Sequence, residues 1–429
     1  MKYPEYEATQ FARNQILQFD FMDQDVPGKE YIETLENASP FADKLRERAC
    51  ALGYSGDLTD VKSLRSFLFQ LLKKEQGIID ENNARVWKAN LTNWLVPQKE
   101  NPAPVMPGKR EAVYQLCFAL QMNAHEAGEF FVKGYLERPF NFKDLRETVY
   151  FYCLNNGLSY SEAVTLFQTA QAVPFEKNTF AETNTAAIGY MVKESQNTDA
   201  FLDYIRLNRW SFETGSITAK NRITQLIVQC LPYATKEHNT FNFSERLEAV
   251  AERDERVEKV SGATNYKIRK VTEENISNEE ALLSVIYGYF AREERVVNGK
   301  KTNIYNRTLS KDSLFPKLIR ERMVAHATHL STIQKGTAPD TTTRSALILF
   351  DFYHFFSSAR ENGYTDTSEL FEEFVDEVDA LLLECGYGQL YWRNPYDWMI
   401  GYCAKAWDPI DQLRFLIDEF FLDDETVIH

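Results

Sequence analysis

The chain has 429 residues, of which 44% are hydrophobic and 26% charged, and its formal net charge is -15. This length allows two or three domains of globular composition, whereas the acidity argues against a protein that coats nucleic acid. No apolar run approaches the roughly 18 residues that a membrane helix needs, so no membrane association is expected. The N-terminus "MKYPEYEATQFARNQ" lacks the features of a secretory signal or a transit peptide, which predicts a cytoplasmic location.

Helical periodicity dominates the chain. "SPFADKLRERACALG" and "VKSLRSFLFQLLKKEQG" place apolar residues at three- and four-residue spacing, which predicts two amphipathic helices. Further helices are predicted at "REAVYQLCFALQM", "NAHEAGEFFVKGY" with Asn123 as its cap, and "LSYSEAVTLFQTAQ" with Ser159 as its cap. Only "NYKIRKV" and "RVVNGKKTNIYN", with the turn pair Asn298-Gly299, are compatible with a β-hairpin. The expected fold class is therefore all-α.

The residues that often carry chemistry form no known catalytic or metal-binding motif. The six cysteines lie far apart and mostly within apolar helical patterns, so buried reduced thiols are expected. His326 and His329 share one helical face, but no third ligand can be assigned to them. P-loop, G-x-G-x-x-G, G-x-S-x-G and H-E-x-x-H motifs are absent from the sequence. We therefore expect no enzymatic activity, no cofactor and no metal.

Charge is distributed unevenly along the chain. Nine basic and four acidic residues lie between Val61 and Arg110, and the same numbers lie between Arg292 and Arg322. In contrast, the stretch 361–384 contains nine acidic residues and neither lysine nor arginine. The two basic stretches are candidate sites for an anionic partner, and the acidic stretch is a candidate site for a basic one.

The sequence also contains an internal repeat. "NLTNWLVPQKENPAPVMPGKREAVYQLCF" is echoed by "HLSTIQKGTAPDTTTRSALILF", and the order of the following residues is kept. The paired positions are Gly134 with Gly386, Phe140 and Phe142 with Tyr391 and Trp392, Glu147 with Asp397, and Tyr152-Cys153 with Tyr402-Cys403. Duplication of a helical unit predicts four regions. They are an N-terminal helical arm (1–60), a first copy (61–167), a helical middle or connector region (168–306) and a second copy (307–429).

The segment "SLRSFLFQLLKKEQGIIDENNARVWKANLTNWLVPQKENPAPVMPGKREAVYQLCFALQMNAHEAGEFF" resembles the five-helix DNA-binding domain of Cro/CI-type, lambda-repressor-like helix-turn-helix proteins. Its third helix would run from Ala84 to Leu95 and end in "NLTNWL". The second copy, with "LFPKLIRERMVAHATHLSTIQKG" and "TTTRSALILFDFYHFF", resembles the family less closely. The whole chain also looks like a loose group of uncharacterised bacterial proteins that carry such regions.

The resemblance implies a transcription regulator that binds double-stranded DNA. In the family, side chains of the recognition helix face base edges and flanking residues hold phosphates. Carried over by position, the DNA-binding candidates are Arg85, Lys88, Asn90, Asn93, Gln98 and Lys99 in the first copy and His329, Thr332 and Lys335 in the second. The alternative is a protein-interaction adaptor whose helix-turn-helix folds do not bind DNA and whose acidic stretch 361–384 docks a basic partner. The oligomeric state is not predicted.

Overall fold

The computed structural model describes most of the chain in segments. These segments are residues 28–29, 32, 40–76, 80–96, 106–174, 185–212, 217–240, 266–268, 278–287, 292–297, 300–305, 317–324, 327–363 and 367–422. Four predicted features lie outside them, namely Gln98, Lys99, His326 and the turn pair Asn298-Gly299. No described helix is long and apolar enough to cross a membrane.

Two compact units divide the chain. The first unit comprises Glu36–Thr218 with Leu381–Tyr391, and the second comprises Met1–Leu35, Ala219–Ala380 and Trp392–His429. The described helices of the first unit are α1 (Pro40–Ala51), α2 (Val61–Gln76), α3 (Glu81–Leu95), α4 (Arg110–Ala119), α5 (Ala124–Phe130), α6 (Leu145–Asn155), α7 (Tyr160–Ala172), α8 (Thr185–Lys193) and α9 (Thr198–Asn208). A π-helical turn, Phe131–Tyr135, follows α5, and a 3-10 turn, Arg209–Phe212, follows α9.

The second unit is also mainly helical. Its described helices are α10 (Ile217–Thr240), α11 (Asn278–Tyr287), α12 (Lys317–Arg322), α13 (Ala327–Lys335), α14 (Asp340–Glu361), α15 (Thr367–Glu384, which begins in this unit), α16 (Pro395–Ala404) and α17 (Pro409–Leu422). The strands β1 (Tyr266–Ile268), β2 (Arg292–Val297) and β3 (Lys300–Tyr305) form an antiparallel sheet in the order β1-β2-β3. At one end of the β2–β3 ladder, Val297 pairs with Lys300. Helices build the described core, so the predicted all-α class is confirmed, with this short sheet as an addition.

The first unit has one continuous apolar core. Each of α1, α2 and α3 contributes the side chains of one face, as the three- and four-residue spacing predicted. Fully or almost fully buried residues of these helices include Phe41, Leu45, Leu68, Leu72, Leu91 and Leu95. Burying a leucine side chain stabilises a fold by roughly 1.5–3 kcal/mol. The predicted caps Asn123 and Ser159 form capping boxes with Glu126 and Glu162, which fix the starts of α5 and α7.

The units are divided differently from the four predicted regions. The helix α1, assigned by sequence to a separate N-terminal arm, packs into the first core through Phe41 and Leu45. The helices α8 and α9, assigned to the middle region, contribute Ile188 and Phe201 to the same core, and the ring of Phe201 stacks on Tyr152 at 4.3 Å. Apolar faces on these helices have to be buried, so they join the nearest core instead of forming a connector.

The cysteines follow the prediction with one exception. All six are free, and five of them are buried. Cys50 is exposed because it lies on the outer side of α1, next to the buried Ala49. Burial raises the pKa of Cys117, Cys153 and Cys230, which keeps these thiols protonated at neutral pH.

The internal repeat has a structural counterpart in the helix pairs α6–α7 and α16–α17. The same number of residues separates Asp144 from Asn394, Glu147 from Asp397, and Tyr152 from Tyr402. Asp144 and Asn394 are both N-caps, and their side-chain oxygens accept hydrogen bonds from the first turn of the helix that follows. The two copies differ in the length of the apolar helix that precedes these pairs, since α14 has 22 residues whereas α4 has 10.

Candidate nucleic-acid interface

The start of α3 is fixed by a side-chain cap. The carboxylate of Asp80 accepts a hydrogen bond from the backbone N–H of Asn83 at 2.9 Å. A cap at this position satisfies a backbone donor of the first turn, so the helix begins at Glu81 and not at the predicted Ala84. The predicted end at Leu95 is confirmed.

The inner face of α3 anchors the helix to the first unit. Leu91, Trp94 and Leu95 are buried. The Trp94 ring packs edge-on against Phe41 of α1 at a centroid distance of 5.5 Å and against Trp87 at 6.0 Å. Aromatic pairs of this geometry contribute about 0.5–1.5 kcal/mol beyond their buried area. Half-buried Trp87 therefore packs on the same side of α3 as Trp94, and the opposite face of the helix is free to contact a partner.

The outer face of α3 carries most of the predicted first-copy candidates. Arg85, Lys88 and Asn93 are exposed, and Asn90 is half-buried. Exposed Val86 lies among them. Positions 85, 88 and 93 are therefore accessible to a partner.

Basic side chains of α2 and α3 take part in the contacts between these two helices. The Lys88 ammonium lies 4.8 Å from the centroid of the Phe69 ring of α2. Arg65 of α2 donates a hydrogen bond to the Thr92 hydroxyl of α3 at 3.0 Å. With Arg85, one turn before Lys88, these residues form what we call the basic seam, namely Arg65, Arg85 and Lys88. Arg65 was counted in the basic stretch but not predicted as a site residue, because only the pairing of α2 with α3 places it here.

Acidic residues occupy the N-terminal end of α3. Asp80 and Glu81 are both exposed, and the Asp80 carboxylate also accepts a hydrogen bond from the Asn83 carboxamide at 2.6 Å. Side chains at this end of a recognition helix usually face the bases in the family that the sequence resembles. Two carboxylates there repel phosphate, so the basic seam is the part of α3 that can approach a polyanion.

Arg110 contributes to the interior rather than to a basic surface. Its guanidinium donates to both oxygens of Glu147 at 2.8 and 2.9 Å and to Glu137 at 3.0 Å. Burial opposes ionisation of Glu147, but the hydrogen bonds and charge of Arg110 outweigh it and lower the pKa of that carboxyl. A count of basic residues along the sequence therefore overstates the positive surface of the first copy.

The candidates of the second copy lie at the less exposed helix α13. Burial lowers the pKa of His329, so its imidazole is neutral at pH 7. The Thr332 hydroxyl donates to the His329 carbonyl at 2.8 Å, and only Lys335 of the three is exposed. In the second basic stretch, Arg322 is buried and donates to the carbonyl of Leu318. In the described part of the second copy, we find no group of neighbouring basic side chains that corresponds to the basic seam.

Comparison of the chain with protein families, curated proteins and solved structures finds no match. Within the described segments, no three histidine, cysteine, aspartate or glutamate side chains group closely enough to hold a metal ion. The function therefore has to be argued from surface chemistry, for which the basic seam is the best-defined feature of the first unit.

Proposed function

We propose that the first unit binds double-stranded DNA through the basic seam and that the protein is a transcription regulator of the Cro/CI-like helix-turn-helix class. The observation that carries the proposal is the pairing of α2 with α3, in which half-buried Arg65 contacts Thr92, Lys88 lies over Phe69, and Arg85 and Lys88 are exposed. The sequence resemblance assigns the recognition role to the same helix, α3. Neither the second copy nor Arg110 has a part in this proposal.

The chemistry of the face supports a division of roles. Arginine and lysine bind phosphate oxygens, which positions a protein on the duplex without reading its sequence. The exposed carboxamide of Asn93 offers both a donor and an acceptor, the pair that recognises adenine in the major groove. We therefore assign the seam to phosphate contacts and Asn93 to a base contact.

The salt dependence of binding tests the number of phosphate contacts. Each neutralised phosphate contributes about -0.9 to the slope of log Kobs against log salt, so three contacts predict a slope of about -2.7. Affinity for a fluorescent random-sequence duplex should then fall about 40-fold between 50 and 200 mM salt. Fluorescence anisotropy measures this titration, and affinity that does not change with salt would rule out the proposal.

Charge reversal on α3 tests the location of the interface. Arg85→Glu combined with Lys88→Glu should abolish most of the salt-sensitive binding, because two phosphate contacts become repulsive. The matched control is Lys193→Glu, which reverses an exposed lysine of α8 in the same unit. The same loss of affinity in the control and in the double variant would show that the net charge of the unit, and not the basic seam, determines binding.

A further inference from the structure

A shallow cleft lies within the second unit, beside the link between α16 and α17. Its volume is about 220 Å³. Apolar side chains supply most of its lining, with Arg360 and Asp408 at its edge. The apolar lining residues include Phe356, Ala359, Leu370, Ala404, Trp407 and Pro409.

Trp407 is the least typical residue of this cleft. Its side chain is 74% exposed, the largest exposed fraction among the large apolar residues that the structure describes. Exposed tryptophan is uncommon on protein surfaces without a partner, and tryptophan is enriched among the residues that dominate binding energy at protein interfaces. Covering this indole removes a large apolar area from water, which favours binding of an apolar group beside it.

Cationic groups at the cleft are already neutralised. Arg360 donates to Glu237 at 2.8 Å and to Asp408 at 3.2 Å. Glu237 also accepts a hydrogen bond from Arg414, at 2.7 Å. The arginines are thus held by carboxylates of the same unit and do not attract an anionic partner.

Acidic residues flank the cleft in excess. The helix α15, which supplies Leu370 to the lining, exposes Glu373, Asp376 and Glu377 and has no basic residue. This charge repels nucleic acid and complements a basic protein segment.

The size of the cleft restricts its occupant further. Sites for small molecules and cofactors usually enclose about 300–1,000 Å³, which exceeds the volume here. One large apolar side chain fits a cleft of this size, and flanking residues of the same segment would lie over the acidic rim. A lysine or arginine next to the anchor can also contact the face of the Trp407 indole.

We propose that this cleft binds a segment of a partner protein in which one large apolar side chain is flanked by lysine or arginine. The apolar anchor occupies the cleft beside Trp407, and the basic residues pair with the acidic rim of α15. This surface belongs to the second unit and does not depend on DNA binding by the basic seam.

Selection from a random peptide display library tests the proposal with the full-length chain as bait. Enriched peptides should share an apolar anchor with adjacent lysine or arginine, and a labelled synthetic copy of the most enriched peptide should lose at least tenfold in affinity to Trp407→Ala. Its affinity should also fall severalfold for Glu373→Lys and on raising the salt concentration. Because Trp407 and Glu373 are exposed, neither substitution is expected to unfold the unit.

The matched control is Val228→Ala, which truncates an exposed apolar residue of α10 that does not line the cleft. Peptide affinity should be unchanged in this variant. Enrichment of no basic sequence, or enrichment of peptides that bind Trp407→Ala as tightly as the parent, would overturn the proposal. Light scattering adds a further outcome, since a dimer that Trp407→Ala dissociates would identify the occupant as a second copy of the chain and also overturn it.

Discussion

Replacing Glu147 with alanine is expected to destabilise the first unit by about 3–5 kcal/mol, the usual cost of removing one partner from a buried ion pair. Glu147 accepts hydrogen bonds from the Arg110 guanidinium and from the backbone N–H of Asn141, and its carboxylate lies 2.8 Å from the Tyr114 hydroxyl. Only 13% of its side chain is exposed. Alanine removes this shared acceptor in a region that water reaches poorly and leaves Glu137 as the remaining acidic partner of Arg110.

Hydrogen exchange followed by mass spectrometry measures this effect in each unit separately. Amides of α4 and α6 should lose protection in Glu147→Ala, whereas Glu129→Ala, which removes an exposed ion pair with Lys133, should cost no more than about 0.5 kcal/mol. Equal protection in the two variants would contradict the expected role of Glu147. The measurement belongs at neutral pH, because a carboxyl with a lowered pKa contributes its stability above its unfolded pKa and loses it as pH falls.

The double replacement Arg110→Met with Glu147→Leu separates the cost of an unpaired charge from the net value of the pair. Removing both charges and filling the space with apolar atoms should restore most of the stability lost in Glu147→Ala. If the double variant is as unstable as the single one, packing around the pair, and not the loss of one of the two acidic partners of Arg110, accounts for the lower stability.

The same ion pair shows how far the sequence predicts the fold. The alignment of Glu147 with Asp397 was predicted, and both acids occupy the third position of a capped helix. In the second unit, Arg344 binds the two oxygens of Asp397 at 2.5 and 2.8 Å. Their arginine partners could not be predicted, because a basic residue near the start of an apolar helix looks the same in sequence whether it faces solvent or an acid far along the chain.

Only part of the candidate interface could be predicted, because contacts between neighbouring helices cannot be seen in the sequence of one helix. The family resemblance named Arg85 and Lys88 as residues of α3 that face a partner, and both side chains are exposed. Periodicity within one helix carries no information on which neighbour it packs against, so the contribution of Arg65 required the arrangement of α2 and α3. His329 illustrates the converse case, since its polarity suggested a surface role whereas burial keeps it neutral.

A buried acid in the second unit gives the other large effect that we expect. Asp351 of α14 is 3% exposed, and its Oδ2 atom has no hydrogen-bond partner. Burial, followed by the negative charge of Glu377, raises the pKa of Asp351 to about 7. His354, one turn further along, supplies no counter-charge at neutral pH, because burial lowers its pKa.

The raised pKa sets the direction of the pH dependence. In the unfolded chain an aspartate releases its proton near pH 3.9, whereas folded Asp351 keeps it up to about pH 7. The folded state therefore binds more protons across this window, and stability falls as pH rises through it before levelling off above pH 7. A difference of about three units between the folded and unfolded pKa values lowers the free energy of unfolding by at most about 4 kcal/mol.

Asp351→Asn removes this ionisation while keeping the shape of the side chain. We expect the variant to be more stable than the parent by about 2–4 kcal/mol at pH 8 and by much less at pH 4, where the parent carboxyl is protonated in the folded state and still about half protonated in the unfolded state. Urea unfolding at a series of pH values, monitored by hydrogen exchange of the α14 amides, measures the difference in stability between parent and variant. Asp376→Asn, at an exposed position of α15, should show no such trend. Because every other titrating group is common to parent and variant, a stability difference that stays constant between pH 4 and pH 8 would mean that folding does not raise the pKa of Asp351.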